Sequence, residues 1–218
     1  MKEISPCDLF LKIEEYSKNL KVPLVSLIAL KRRSDFSILI SAILSSRTKD
    51  EVTGRVMENF LKKVKDFNDL KKLKVKEIEK LIYPVGFYKV KAKILKRLSK
   101  EIIEKYGGKI PDKFEELVKL PGVGRKVANL ILIEIFKKDE ICVDTHVHRI
   151  SNRLGWVSTK KREETEEKLK EIFPREYWSR INRTLVAFGQ GICKPLKPLC
   201  KICPVEPFCP KIGLNSKK

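Results

Sequence analysis

Several residue types and patterns are scarce in this sequence, and each shortage excludes something. There is one glutamine, Gln190, and there are two methionines, against an abundance of Lys and Glu. A thermophile's preference for charge over labile side chains gives that balance, and an AT-rich genome leaves the same trace. Long apolar runs are missing. Ile38–Leu44 is short and Val127–Phe136 is interrupted by Glu134, so neither approaches the roughly 18 residues of a membrane span. The N-terminal stretch carries Glu3 and Asp8 without an uninterrupted apolar core, which argues against a secretory signal. Alternating apolar and polar residues, the mark of a half-buried strand, are not found, and no low-complexity linker divides the chain.

Acidic residues are short as well. The 218 residues hold 28 Asp+Glu against 48 Lys+Arg, a formal net charge of +20. With 42% hydrophobic residues the chain can bury one sizeable core or two small ones, so it is no disordered basic tail. The reading is a soluble intracellular protein whose surplus charge calls for an anionic partner. Nucleic acid leads, and a membrane surface or an acidic protein competes.

What is present is helical periodicity. Phe10, Ile13 and Tyr16 recur at helical spacing, and Phe36, Leu39, Ile40, Ile43 and Leu44 form an apolar stripe. Val52, Val56, Phe60 and Leu61 continue it after a polar break at Ser45–Asp50. Lys76–Ile82 ends before Tyr83-Pro84, and a basic amphipathic helix over Val90–Tyr106 closes at Gly107-Gly108. Pro111 and Asp112 open another helix, and Val123–Phe136 follows a Pro-Gly turn. Asp144 or Thr145 caps a helix through Leu154, and Ser158 or Thr159 caps the next. Glu176–Gln190 is the last. The expectation is an all-α fold of ten to twelve short helices. On the basic helix, Lys91, Lys93, Lys96 and Lys100 read as solubilising charges.

Three clusters carry chemistry. Cys193, Cys200, Cys203 and Cys209 are spaced C-x6-C-x2-C-x5-C, whereas Cys7 and Cys142 are isolated and read as buried small hydrophobes. Four thiolates so close suit a structural zinc or a [4Fe–4S] cluster, and the long first gap favours the cluster. With all four ligand positions filled by Cys, such a group is not expected to be the catalyst. Lys194, Lys197 and Lys201 share the loop, either to offset the cluster's charge or to face phosphates.

The second cluster is Leu120-Pro121-Gly122-Val123-Gly124-Arg125-Lys126, a tight turn between two helices. Its glycines allow close backbone approach, and the amides opening the second helix suit one phosphate without reading any base. Lys126 lies in the first turn of that helix, where the dipole and Arg125 both oppose a positive charge, as a nucleophilic amine requires. The third cluster is Val143-Asp144-Thr145-His146-Val147-His148-Arg149. Asp144 is a plain N-cap or a proton-handling partner. His146 and His148, two apart on a helix, face different ways and are not expected to share a metal.

Taken together, these motifs resemble the endonuclease III family of DNA glycosylases, within the helix-hairpin-helix superfamily. The carriers are L-P-G-V-G-R-K-V-A-N at 120–129, V-D-T-H-V-x-R at 143–149 and the cysteine loop at 193–209. Looser matches run over Ile43–Asp50 and Val85–Ala92, and the resemblance spans about Lys31 to Pro210. It implies two helical domains flanking a DNA-binding cleft. One is a six-helix bundle over 25–137 with the hairpin. The other combines 1–24 and 138–218 and carries a [4Fe–4S] cluster on Cys193, Cys200, Cys203 and Cys209. The implied enzyme is a base-excision DNA glycosylase with abasic-site lyase activity. It is monomeric, cytoplasmic and nucleoid-associated, of prokaryotic origin, and acts on double-stranded DNA holding oxidised pyrimidines or abasic sites.

In that resemblance Lys126 attacks C1′ of a flipped nucleotide, and Asp144 helps deprotonate it and stabilises charge on the sugar. A Schiff base then permits β-elimination. Gly122, Val123 and Gly124 lend amides to a phosphate, with Arg125 beside them, and Lys194, Lys197 and Lys201 face the backbone. Phe87 stands where the family has an apolar wedge. Arg47 stands where bacterial members commonly carry Gln, facing the orphaned base, and its rigid fork favours guanine. Two alternatives stay open: a monofunctional uracil or thymine mismatch glycosylase, and a non-catalytic iron–sulfur DNA-binding protein.

Overall fold

The structure, a computed structural model, describes residues 4–31 and 34–214. Glu3, one of the acids set against a signal peptide, lies outside the described residues, as do positions 32–33 and 215–218 of the expected domains. Twelve α-helices and two short 3-10 turns make up the regular structure, with no strand among the described residues. None of those helices is long and apolar enough to cross a membrane. The chain divides into two compact units. One is continuous, Leu24–Lys138; the other joins the residues up to Pro23 to those from Asp139 onward.

The continuous unit holds α2 (Leu24–Leu30), α3 (Asp35–Ser45), α4 (Asp50–Lys63), α5 (Phe67–Lys72), α6 (Val75–Ile82), α7 (Tyr88–Tyr106), α8 (Phe114–Leu117) and α9 (Arg125–Glu134). These are eight helices where the resemblance implies six; α5 and α8 have only six and four residues. The apolar stripe expected on α3 understates its burial. Every residue from Phe36 to Leu44 is buried, because α2, α4, α7 and α9 all pack around it. A helix apolar on all sides belongs in the middle of a bundle. Ser34 starts it by accepting the Ser37 amide, and Ser37 and Ser41 turn their hydroxyls onto Ser34 and Ile38 carbonyls.

The second unit contains α1 (Pro6–Ser17), α10 (Thr145–Arg153), α11 (Arg162–Ile172) and α12 (Arg175–Gly191). Its core joins Phe10 and Ile13 of α1 to Val147, Ile150, Leu169 and Phe188. Fully burying a side chain such as Phe10 contributes about 1.5–3 kcal/mol. Arg180 of α12 holds Glu14 of α1 through two hydrogen bonds, one of them Nε to Oε1 at 2.8 Å. Cys142 is fully buried, as expected of a small hydrophobe, whereas Cys7 is only half-buried at the edge of this core.

Two helix starts differ from expectation. Pro111 is buried in a segment without regular structure, and Asp112 accepts from Lys138 Nζ (Oδ2, 3.2 Å), so the helix begins only at Phe114. Neither Ser158 nor Thr159 caps α11. Thr159 pairs with Thr165 (Oγ1 to Oγ1, 2.6 Å), and the helix opens at Arg162 with Glu164 accepting the Lys160 and Lys161 amides (both 3.2 Å).

The lysines of α7 do not all solubilise it. Lys93 and Lys100 are exposed, as expected. Lys96 reaches back to the Lys71 and Leu73 carbonyls that end α5, the second at 2.6 Å. Lys91 is 6% exposed. Its ammonium donates to Leu44 O (2.8 Å), Ser46 O (2.6 Å) and Thr48 Oγ1 (3.4 Å).

Burial pushes the Lys91 amine from its ordinary 10.5 down to about 8. Between those values the unfolded chain holds a proton that the folded chain has released, so folding is favoured increasingly as pH rises through that window. Denaturant unfolding of wild type against Lys91→Met should therefore show the wild type gaining relative stability from pH 8 to 10.5. A relative loss over that window would show the carbonyl hydrogen bonds outweighing desolvation.

Candidate DNA-binding and catalytic site

The Gly122–Gly124 hairpin is dictated locally. Gly122 has φ of 79°, and a Cβ there would stand 2.5 Å from Ile94 Cγ2, so both conformation and space require glycine. Gly124 caps α9 with extended backbone, and a Cβ on it would meet nothing within 4 Å. The chain is thus open to a close ligand on that side. Val123 plays a different part from the one the resemblance implies. Its amide donates to Leu120 O (3.1 Å) and its side chain is buried, so it anchors the turn while the glycines form its open side. Arg125 lays its guanidinium 5.4 Å from the centre of the Phe114 ring, which ties the hairpin to α8. Lys126 follows in the first turn of α9, half-buried, ahead of the buried run Val127–Ile133.

In the same unit the loop after α3 meets the turn before α7. Arg47 and Phe87 both have left-handed backbones, φ of 53° and 58°, an arrangement that non-glycine residues adopt at a cost of about 1–3 kcal/mol. Gly86 between α6 and α7 fits because a Cβ there would stand 2.6 Å from the Arg47 carbonyl oxygen. The Gly86 amide donates to Thr48 Oγ1 (3.1 Å). The Arg47 guanidinium then lies 5.5 Å from the centre of the Phe87 ring, which is 59% exposed. The two residues singled out separately in the sequence therefore form one exposed pair.

Asp144 belongs to the other unit. It is the N-cap of α10, and its Oδ1 accepts the amides of His146 (2.8 Å) and Val147 (2.9 Å). The carboxylate is thereby fixed in direction. His146 and His148 do find separate partners, Arg149 Nη2 (3.2 Å) and Thr165 Oγ1 (2.6 Å) respectively.

The cysteine loop follows α12. Cys193, Cys200, Cys203 and Cys209 line one cavity together with Arg153 and Lys211. Prolines keep the loop from regular helix, and it contains only the 3-10 turns Cys200–Ile202 and Glu206–Phe208. Burial first, and then the neighbouring cysteines, push the Cys203 thiol up to about 11; Cys209 is raised chiefly by burial as well. Mutual repulsion of this kind is what a cation among four thiolates relieves. Among the described residues no group of three or more His, Cys, Asp or Glu is drawn close enough to hold a single ion. Four cysteines lining one cavity are the donor set of a structural zinc or of an iron–sulfur cluster. Lys194, Lys197 and Lys201 are all exposed.

Several working residues escape the sequence reading. Arg153, 6% exposed, donates to Cys193 Sγ (3.3 Å) and to the carbonyls of Lys194 (3.0 Å) and Pro195 (3.3 Å). Arg149 adds a bond to Cys193 O (2.8 Å). Their spacing of four on α10, facing a loop with few other donors, was the available signal. For Lys91 the signal was register: it falls in line with Leu95, Leu98 and Ile102, the buried face of α7.

Residues 40–175 match the model of the HhH-GPD superfamily base excision DNA repair proteins. Endonuclease III of Thermotoga maritima is 48% identical over 82% of this chain and 84% of its own length. A trapped endonuclease III–DNA covalent intermediate superposes with a TM-score of 0.86 at 32% identity, covering 94% of each chain. A thermostable thymine-DNA glycosylase superposes with a TM-score of 0.83 at 26% identity, covering 94% of this chain and 95% of that one. With the hairpin, the capped aspartate and the cysteine loop in place, these similarities establish that the chain belongs to the HhH-GPD superfamily of base-excision DNA repair proteins, within its endonuclease III family.

Proposed function

We propose that this chain is a bifunctional glycosylase and abasic-site lyase that excises oxidised pyrimidines of the thymine glycol type from double-stranded DNA. The observation that carries this reading is Lys126 in the first turn of α9, directly behind the Gly122–Gly124 hairpin, in a chain of a base-excision repair superfamily. The hairpin holds a phosphate and the damaged nucleotide leaves the stack. Lys126 Nζ, as the free amine, attacks C1′. The N–C1′ bond forms as the glycosidic bond breaks, and the base departs with that bond's electron pair and takes a proton from water. Asp144 takes the proton that the amine gives up, and its charge offsets the positive character at C1′. Asp144 then returns its proton to O4′ as the C1′–O4′ bond opens, which leaves an iminium between Nζ and C1′. That iminium acidifies C2′–H. Loss of this proton expels the 3′-phosphate, breaks the C3′–O bond and cuts the strand.

Cys193, Cys200, Cys203 and Cys209 would hold the [4Fe–4S] cluster that the family generally carries. When bound it supplies a rigid cross-link that presents Lys194, Lys197 and Lys201 to the phosphate backbone. Acting as a monomer on chromosomal DNA, the enzyme belongs in the cytoplasm with the nucleoid. Its identity to the Thermotoga maritima protein supports a prokaryotic, thermophilic source. A second reading, a monofunctional mismatch glycosylase for uracil or thymine opposite guanine, is favoured by Arg47 and by the superposition on a thymine-DNA glycosylase.

Borohydride added to the protein with thymine glycol duplex should trap a covalent complex, and Lys126→Gln should abolish it. Undiminished trapping in that variant contradicts the mechanism, and base release from G·T without strand cutting selects the second reading. Asp144→Asn keeps a good N-cap, so thermal unfolding should hardly change while base release falls by about 10²–10⁴-fold. A variant that retains full activity removes Asp144 from the chemistry. Protein purified without oxygen should show broad visible absorption with bound iron and sulfide, and Cys200→Ser should weaken it. Colourless protein holding zinc contradicts the cluster.

A further inference from the structure

Lys91 is used by no step of the reaction, yet it occupies a costly place. A lysine is almost never fully buried without a partner. This ammonium donates to two backbone carbonyls and a hydroxyl, all within the segment Leu44–Thr48. Its own backbone amide donates to the Phe87 carbonyl (3.0 Å), in the first turn of α7. One residue therefore holds the two loops that meet here, the Arg47 loop through its side chain and the Phe87 turn through its main chain. Thr48 completes the join, since its hydroxyl receives both the Lys91 ammonium and the Gly86 amide. Above this join sit two residues in left-handed conformations, with the guanidinium of one over the ring of the other. Backbones of that kind persist only where their surroundings over-determine them.

We propose that Lys91 is a positioning residue for partner-base recognition: it clamps the Arg47 loop to the Phe87 turn, so that guanidinium and ring meet the duplex as one preset unit. This rests on the reading of the chain as a glycosylase for duplex DNA. A guanidinium held in a fixed direction can offer its paired donors to one partner base in preference to others. A loose one neutralises phosphate but discriminates poorly. The buried ammonium suits the task because it fixes carbonyl groups at several angles from one point, and it brings no negative charge to a surface that must receive DNA.

The test is single-turnover base release from duplexes carrying one lesion opposite each of the four bases, using wild type, Lys91→Met, Arg47→Ala and the double variant. The wild type should prefer guanine by about tenfold, the size of one good base contact. Lys91→Met should bring that preference down to the level of Arg47→Ala, and the double variant should show no further loss. If Lys91→Met instead slows release equally from all four duplexes and keeps the preference, Lys91 is merely structural and the proposal is overturned. Equal wild-type rates on all four overturn it too, since the pair then reads nothing. Should Lys91→Met fail to fold by circular dichroism, Thr48→Val carries the test. It removes the shared hydroxyl without touching the amine and should lower the preference in the same direction, while an unchanged preference counts against the clamp. Borohydride trapping by the wild type, run alongside, separates this outcome from failure of the glycosylase reading, since trapping survives if only the clamp is wrong.

Discussion

A loop that presents a charge to a ligand must itself be held. In both units of this protein the holding group is a cation that donates to backbone carbonyls. Lys91 grips the end of α3 and the loop beyond it. Lys96 grips the end of α5. Arg149 and Arg153 grip the start of the cysteine loop at Cys193, Lys194 and Pro195. A carboxylate partner would have been an easier way to bury each of these charges, because a buried ion is costly unless it is paired. It would also have cancelled the charge. Carbonyl dipoles at helix ends satisfy the donors and leave the charge in place, so the protein fixes its loops without spending its positive potential.

This constraint accounts for where the glycines are unavoidable. Once Lys91 draws the Arg47 loop down, its carbonyl comes so close to the turn before α7 that position 86 has no room for a side chain. Once α3 is buried on every side, Ile43 and Ile94 press on the hairpin, and position 122 has neither the space nor the backbone angle for anything larger. Packing around one central helix thus reaches the surface as two tight turns, and the exposed residues of the candidate site stand on them.

Much of this was legible from spacing. The periodic apolar residues of α1, α3, α4 and α12 mark helices that exist, and the Gly-x-Gly turn, the capping Asp144 and the grouped cysteines stand out as local patterns. What was not legible is long-range. The burial of α3 on all sides depends on four partner helices, none of which its own sequence announces. Lys91 and Arg153 look like two of the 48 bases until the carbonyls they bind are seen, and those lie 47 and 41 residues away. Pro111 and Asp112 carry the composition of a helix start, yet Lys138, 26 residues on, claims the aspartate. Val123 illustrates the same limit in miniature, since a motif shows which amides are near a ligand but not which are already bonded.

The division of the chain also has a consequence for its synthesis. The unit Leu24–Lys138 is one uninterrupted stretch and can close its core as soon as α9 has left the ribosome. The other unit cannot. Its α1 is made first but packs on α12, and the Glu14–Arg180 link joins residues 166 apart. Until α12 has been made, Phe10 and Ile13 have no complete core to enter and remain available to chaperones or to one another. Helix α1 thus waits for a partner made more than 150 residues later, and the loop that carries the four cysteines follows directly on that partner.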